Sequence, residues 1–96
     1  MVRHICMFTL KEENKEGNIK EFFEKAEMLR EIPEIKKFDV VRNAEETPAS
    51  NYHVALIFDF DSVKALEVYQ KSPQHVAFGE YVSSVRVGRA CIDYEF

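Results

Sequence analysis

The sequence predicts an α+β domain in which a four-stranded antiparallel sheet carries helices on one face. Two observations predict this class. Three segments alternate at period two, as strands do, and apolar residues recur at steps of three and four in the helical segments between strands. The resulting order β-α-β-β-α-(α)-β is the split β-α-β arrangement, whose right-handed crossovers put all helices on the same face of the sheet.

Length and composition indicate one globular domain spanning residues 1–96. Hydrophobic residues make up 46% and charged residues 31%, and the eight Phe and four Tyr argue against disorder. The net charge is −4 and the basic residues are interleaved with acids, so no basic stripe is available for nucleic acid. Neither a membrane span nor a long apolar signal core is present, and we therefore expect a cytoplasmic protein that does not enter membranes.

The first predicted strand covers residues 2–10. Cys6 and Phe8 lie on one of its faces and Ile5 and Met7 on the other, so both faces carry apolar groups. Such a strand is predicted to lie at the centre of the sheet.

An amphipathic helix follows the first strand. It is predicted to end before Pro33, because the residue preceding a proline disfavours helical geometry. The polar stretch that contains Gly17 leads into it. Its apolar stripe consists of Ile19, Phe22, Phe23, Ala26, Leu29 and Ile32.

Two strands are predicted next, over residues 35–43 and 52–60, and the turn-forming residues 44–51 between them predict an exposed loop. The later strand has the strongest period-two signal in the chain and is apolar on both faces. We therefore expect it to be the second central strand.

The chain then predicts a corner between two helices and a last strand over residues 86–96. Asp61 is predicted to cap the first of these helices. Ser72 is a favourable N-cap and Pro73 a favourable first helical residue, which predicts a second short helix from about residue 73 to 84. The inner stripe of the first helix is Val63, Leu66 and Tyr69.

The helix-free face of this sheet has no cover within one chain. Because both central strands are apolar on each side, that face would expose a larger apolar patch than monomers usually show. The sequence therefore predicts a homodimer in which two sheets pack through their helix-free faces.

Four fragments of the chain resemble the stress-responsive A/B barrel domain family. They are residues 2–8 (VRHICMF), 32–35 (IPEI), 52–56 (YHVAL) and 69–78 (YQKSPQHVAF). The resemblance implies a ferredoxin-like fold that dimerises into an α/β barrel. It does not by itself imply a function, since most members have no established activity and one fold hosts many sites.

The resemblance also marks three candidate catalytic residues, His4, Tyr69 and His75. A polyketide cyclase of this family closes its substrate by an aldol reaction with a histidine base. Its strand-one histidine, helix tyrosine and corner histidine fall on these positions. The resemblance implies that His75 is the base, while His4 orients it or holds a substrate carbonyl and Tyr69 donates to a developing oxyanion.

Each of these residues also has a structural interpretation. His75 lies in the first turn of a helix, where the positive dipole end favours a neutral imidazole, and it could brace the corner instead of acting as a base. His4 could be a hydrogen-bonded core histidine. Tyr69 could be an aromatic core residue whose hydroxyl finds a partner. These alternatives stay open.

Metals, cofactors and disulfides are not predicted. The three histidines, His4, His53 and His75, lack the i, i+4 spacing of a helical metal site, and no common nucleotide, dinucleotide or hydrolase motif is present. Cys6 and Cys91 lack a CxxC spacing and are too few for a disulfide framework. We expect them to be reduced, buried thiols.

Three functions remain open. The first is a homodimer that binds an apolar small molecule or a partner during stress without catalysis, and it is favoured because nothing in the sequence demands turnover. The second is a cyclase- or lyase-like enzyme that acts on a carbonyl-bearing apolar molecule, with His75 as base. The third is a dimeric barrel monooxygenase of the haem-degrading type, for which no haem-ligand pattern stands out.

Overall fold

Four strands form the sheet in the computed structural model, which describes residues 1–96. They are β1 (Val2–Leu10), β2 (Lys37–Arg42), β3 (Val54–Phe60) and β4 (Arg86–Glu95). All pairs are antiparallel and the order across the sheet is β2-β3-β1-β4. The prediction that β1 and β3 are central is confirmed, and each strand begins and ends within two residues of its predicted bounds.

The helical layer contains α1 (Lys15–Ala26), a 3-10 helix (Glu27–Glu31), α2 (Val63–Lys71) and α3 (Pro73–Val85). The first helix begins earlier than the sequence indicates and contains Gly17 in its first turn. A Cβ at Gly17 would lie 2.5 Å from the side chain of Asn14, which explains why glycine suits this turn.

The corner between α2 and α3 is confirmed, and its caps correct one detail. The Ser72 hydroxyl accepts a hydrogen bond from the His75 N–H at 3.2 Å, with Pro73 as the first helical residue. The cap of α2 is Ser62 rather than Asp61, because Ser62 directly precedes the helix and accepts from the Ala65 N–H at 3.1 Å.

The core lies between the helices and one face of the sheet. In β1 the even-numbered residues are buried and the odd-numbered ones are half-buried, as a central strand with one helix-covered face requires. From α2 only Leu66 and Tyr69 are buried, whereas Val63 is 52% exposed and does not belong to the inner stripe. The largest fully buried side chains are Tyr69, Phe22, Phe58, Phe60, Leu10 and Leu29.

The opposite face of the sheet has no helix over it. It presents half-buried Ile5 and Ile57 from the central strands and Ile92, which is 59% exposed, from β4. At one end of this face Arg3 donates two hydrogen bonds to Asp59, at 2.7 and 2.9 Å, and the guanidinium lowers the pKa of that carboxyl. None of the helices has the length and apolar character that crossing a bilayer requires.

Candidate functional site

A cavity of about 120 Å³ lies under the α2–α3 corner, between the helices and the covered face of the sheet. Its apolar wall comes from β1, β3 and α3. Polar groups enter it from β1, from both helices of the corner and from β4. The cavity is lined by His4, Cys6, Phe8, Leu56, Tyr69, Gln70, His75, Phe78, Gly79, Val82, Ser83, Arg86 and Arg89.

The structure brings the three sequence-predicted site residues together in this cavity. The ring of Tyr69 lies near both imidazoles, with its centroid 4.7 Å from that of His75 and 6.1 Å from that of His4. Tyr69 closes the inner stripe of α2 and His75 lies in the first turn of α3, so the break at Pro73 turns both side chains toward the sheet. The placement agrees with the prediction, while the catalytic roles remain predictions.

The hydroxyl of Tyr69 is the unusual group of the site. The side chain is fully buried, yet no protein group is within hydrogen-bonding reach of its oxygen. Burial raises the pKa of Tyr69 far above its usual value, so the phenol stays protonated and can donate. Leaving a buried polar group unpaired costs about 1–3 kcal/mol, and packing alone gives no reason to retain a hydroxyl here.

His75 is half-buried and available as a base. Burial lowers its pKa below the usual value, His4 and Arg89 act in the same direction, and a backbone group of Gln70 opposes them. The imidazole is therefore neutral at neutral pH, as the sequence indicates. The leading cause is loss of hydration, whereas the sequence argument relied on the helix dipole.

His4 has a partner that the sequence analysis missed. Its Nδ1–H donates to Oδ1 of Asp93 at 2.5 Å, and its side chain is almost completely buried. A carboxylate on one ring nitrogen fixes the orientation of the ring and leaves Nε2 free for another partner. The pair thus orients the His4 imidazole in the cavity wall.

The two cysteines are not free thiols, which corrects the expectation from the sequence. Cys6 and Cys91 face each other across β1 and β4 and form a disulfide, and Cys91 is exposed rather than buried. They are 85 residues apart in the chain, so their pairing depends on the sheet register and not on a local motif. The same register places His4 opposite Asp93.

One sequence signal could have identified these pairs. His4 and Cys6 are two residues apart on β1, and Cys91 and Asp93 are two apart on β4 in the reverse direction. In an antiparallel ladder, pairing the cysteines therefore makes the other two residues neighbours as well. The two-residue spacing on both strands therefore predicts both pairs, Cys6 with Cys91 and His4 with Asp93.

The histidines do not converge on a metal site. His53 lies away from the cavity, and its Nδ1 accepts a hydrogen bond from the Leu10 N–H at 3.0 Å, which is a structural role. His4 instead lies beside Cys6 and Cys91, with potential ligand atoms within 4.8 Å of one another. With the disulfide formed, both sulfur atoms are used and this cluster offers a metal only an imidazole nitrogen.

Comparisons with known proteins agree with this architecture. The family model described as the stress-responsive A/B barrel domain matches residues 2–96. A dimeric protein of unknown function and ferredoxin-like fold from Bacteroides fragilis is 30% identical, with a TM-score of 0.83 over 99% of this chain and 95% of that one. A DABB family protein from Mesorhizobium loti is 28% identical, with a TM-score of 0.84 over the same shares of the two chains.

More distant similarity extends to an enzyme. A hydroxynitrile lyase from Passiflora edulis is 22% identical, with a TM-score of 0.82 over 97% of this chain and 90% of that one. At this identity the similarity concerns the fold alone. No curated relative matches the sequence. The match over residues 2–96, the sheet order and the corner helices agree, and the chain belongs to the stress-responsive A/B barrel domain family.

Proposed function

We propose that the protein binds a small, largely apolar molecule that carries a carbonyl group, in the cleft under the α2–α3 corner. The observation that carries this proposal is the buried Tyr69 hydroxyl without a protein partner. A carbonyl oxygen is an acceptor that this donor can use, and the surrounding Phe8, Leu56 and Phe78 suit an apolar body.

The same geometry supports proton transfer to and from the bound molecule. His75 is neutral and can accept a proton from the carbon next to the carbonyl, since a positioned base of this kind is effective at cellular pH. Tyr69 would stabilise the resulting enolate by donating to its oxygen. His4, oriented by Asp93, also lies near the phenol and can hold or relay a proton. This makes a lyase- or cyclase-like reaction the best-supported activity.

A direct test follows proton abstraction from acetophenone by NMR in D2O. We expect the protein to accelerate exchange of the methyl protons, and His75→Gln to lower that rate about 100-fold or more. Binding of acetophenone without accelerated exchange would support ligand binding without catalysis. No binding at all would refute the proposal.

Substitution of two tyrosines separates function from stability. Tyr69→Phe removes an unpaired hydroxyl, so we expect unchanged or slightly higher stability together with weaker acetophenone binding. Tyr81→Phe is the control, because the Tyr81 hydroxyl donates to the Asn18 carbonyl at 3.2 Å. We expect the control to lose about 0.5–1.5 kcal/mol in denaturant melts and to bind acetophenone normally. If Tyr69→Phe instead lost stability and bound acetophenone normally, Tyr69 would have a purely structural role.

We also propose that two copies pair through the helix-free face of the sheet. The dimeric relative from Bacteroides fragilis and the exposed apolar residues on this face support the proposal. Ile92→Glu places a charge on the face and is expected to give monomers in light scattering. Val63→Glu, at a residue of similar exposure on the helical layer, is expected to leave the dimer intact. Dimers of both variants would rule out this interface.

A cytoplasmic location is the remaining proposal. Disulfides are rare in the cytoplasm, so the Cys6–Cys91 bond makes the location testable. Trapping of thiols in intact cells is expected to find both cysteines reduced if the protein is cytoplasmic. A fully oxidised pool would place it in an oxidising compartment.

A further inference from the structure

The arginines of the chain divide into two groups by their partners. Those remote from the cleft each donate through two nitrogens to one carboxylate, in the pairs Arg3–Asp59, Arg30–Glu27 and Arg42–Glu16. The other two, Arg86 and Arg89, form no ion pair and no side-chain hydrogen bond, although acids outnumber Lys and Arg by 17 to 13. Both unpaired arginines line the cleft.

The strand register explains why both side chains reach the same cleft. Arg89 lies opposite Phe8 on β1, and Arg86 lies opposite Leu10 across a register shift. Phe8 and Leu10 face the helices and are buried, so the two arginines extend from the helix-covered side of the edge strand. Arg89 is also close enough to His75 to act on its charge.

No carboxylate balances these charges at the cleft. The lining contains no Asp or Glu, and the nearby Asp93 is already bonded to His4. The titratable groups that face Arg89 are His4, Tyr69 and His75, which add no negative charge at neutral pH while the phenol stays protonated. The cleft therefore combines an apolar interior with an uncompensated positive pair in a protein whose net charge is −4.

We propose that the ligand of the cleft is a carboxylic acid whose carboxylate is held by Arg86 and Arg89. The inference rests on the proposed function and specifies its ligand class: an apolar body with a carbonyl near Tyr69 and a carboxylate at the mouth. Guanidinium groups match the planar geometry of a carboxylate and are more weakly hydrated than an ammonium group. The two arginines also favour acids over neutral analogues. An uncharged group in place of the carboxylate cannot form the charge-assisted hydrogen bonds.

Two matched ligands test the proposal, 4-acetylbenzoate and 4-acetylbenzamide. They share the acetyl carbonyl and differ in the charge at the other end. We expect NMR titration at low salt to show at least about tenfold tighter binding of the benzoate. High salt is expected to reduce the difference, since the arginines are exposed.

Variants assign the preference to the two arginines. Arg86→Gln with Arg89→Gln is expected to bind both ligands with the affinity that the intact protein has for the benzamide. Arg30→Gln is the single-charge control, because Arg30 lies outside the cleft and pairs with Glu27. Circular dichroism and denaturant melts establish that each variant folds.

The outcomes separate this inference from the proposed function. Equal binding of both ligands by the unsubstituted protein would overturn the carboxylate assignment. The proposal that the cleft binds a carbonyl compound would be unaffected. A preference for the benzoate that survives the double substitution would overturn it as well. If neither ligand nor acetophenone binds, the proposed function fails and the inference fails with it.

Discussion

The two halves of the helical layer differ in whether their polar groups have protein partners. Under α1 the layer is filled by aromatic and aliphatic side chains, and the nearby Tyr81 hydroxyl donates to a backbone carbonyl. Under the α2–α3 corner the Tyr69 hydroxyl has no protein partner, and Arg86 and Arg89 have no counter-charge. Since most buried polar groups in proteins are paired, the buried Tyr69 hydroxyl is a feature of the corner half that packing does not explain. This contrast supports the proposal that the cleft is a binding surface and not an incompletely filled core.

The largest test of this comparison concerns the α1 half. Phe22 is fully buried and packs against the rings of Phe8 and Phe78, at centroid distances of 5.7 and 5.3 Å. Phe22→Ala is therefore expected to lower the free energy of unfolding by about 3–5 kcal/mol. Phe23→Ala is the matched control, because Phe23 is only partly buried and is expected to cost clearly less. Equal losses in denaturant melts would show that α1 does not pack as described.

The fold of both halves is readable from local patterns. The alternation in β1 and β3, the stripe of α1 and the Ser72-Pro73 corner each occupy a few consecutive residues, so propensity and periodicity suffice to predict them. Val63 shows the limit of this reasoning, since helical spacing alone placed it inward although it is half-exposed. A stripe predicts the direction of a helix face but not how far along the helix the sheet extends.

The second test concerns the bond between β1 and β4 in the cavity wall. A disulfide that joins residues 85 apart restricts the unfolded chain, and disulfides typically stabilise by about 2–4 kcal/mol. Addition of a thiol reductant is expected to lower the free energy of unfolding by that order. The double variant Cys6→Ala with Cys91→Ala is expected to melt identically with and without the reductant. If the reductant did not change the free energy of unfolding of the unsubstituted protein, the disulfide would contribute nothing to stability.

The site was predictable only in part because its remaining members come from strand register. His4, Tyr69 and His75 could be selected from single segments together with the family resemblance. Asp93, Arg86 and Arg89 lie on β4, more than 70 residues from the β1 residues they face. Asp93 could have been found only by comparing the spacing on β1 with that on β4, because it depends on the β1–β4 register. Arg86 also depends on the register shift between Thr9 and Leu10, which no sequence pattern indicates.

The smallest expected effect is on the pH dependence of stability, and it tests the corner half directly. Burial lowers the pKa of His75 below the ordinary value of about 6.5. As the pH falls through that ordinary value, the unfolded chain takes up a proton at this position that the folded protein does not yet accept. Stability is therefore expected to decrease below about pH 6.5 until the folded pKa is reached.

His53 contributes in the same direction, because burial also lowers its pKa. His75→Gln is therefore expected to weaken the pH dependence without abolishing it, in urea melts between about pH 5 and 8. The same shift keeps His75 neutral below pH 6.5, so acetophenone exchange is expected to persist further into the acid range than an ordinary imidazole would allow. An unchanged pH dependence in His75→Gln would mean that this ring is as well hydrated as an exposed one. In that case the corner would be open to water, and the contrast with the filled half under α1 would lose its chemical significance.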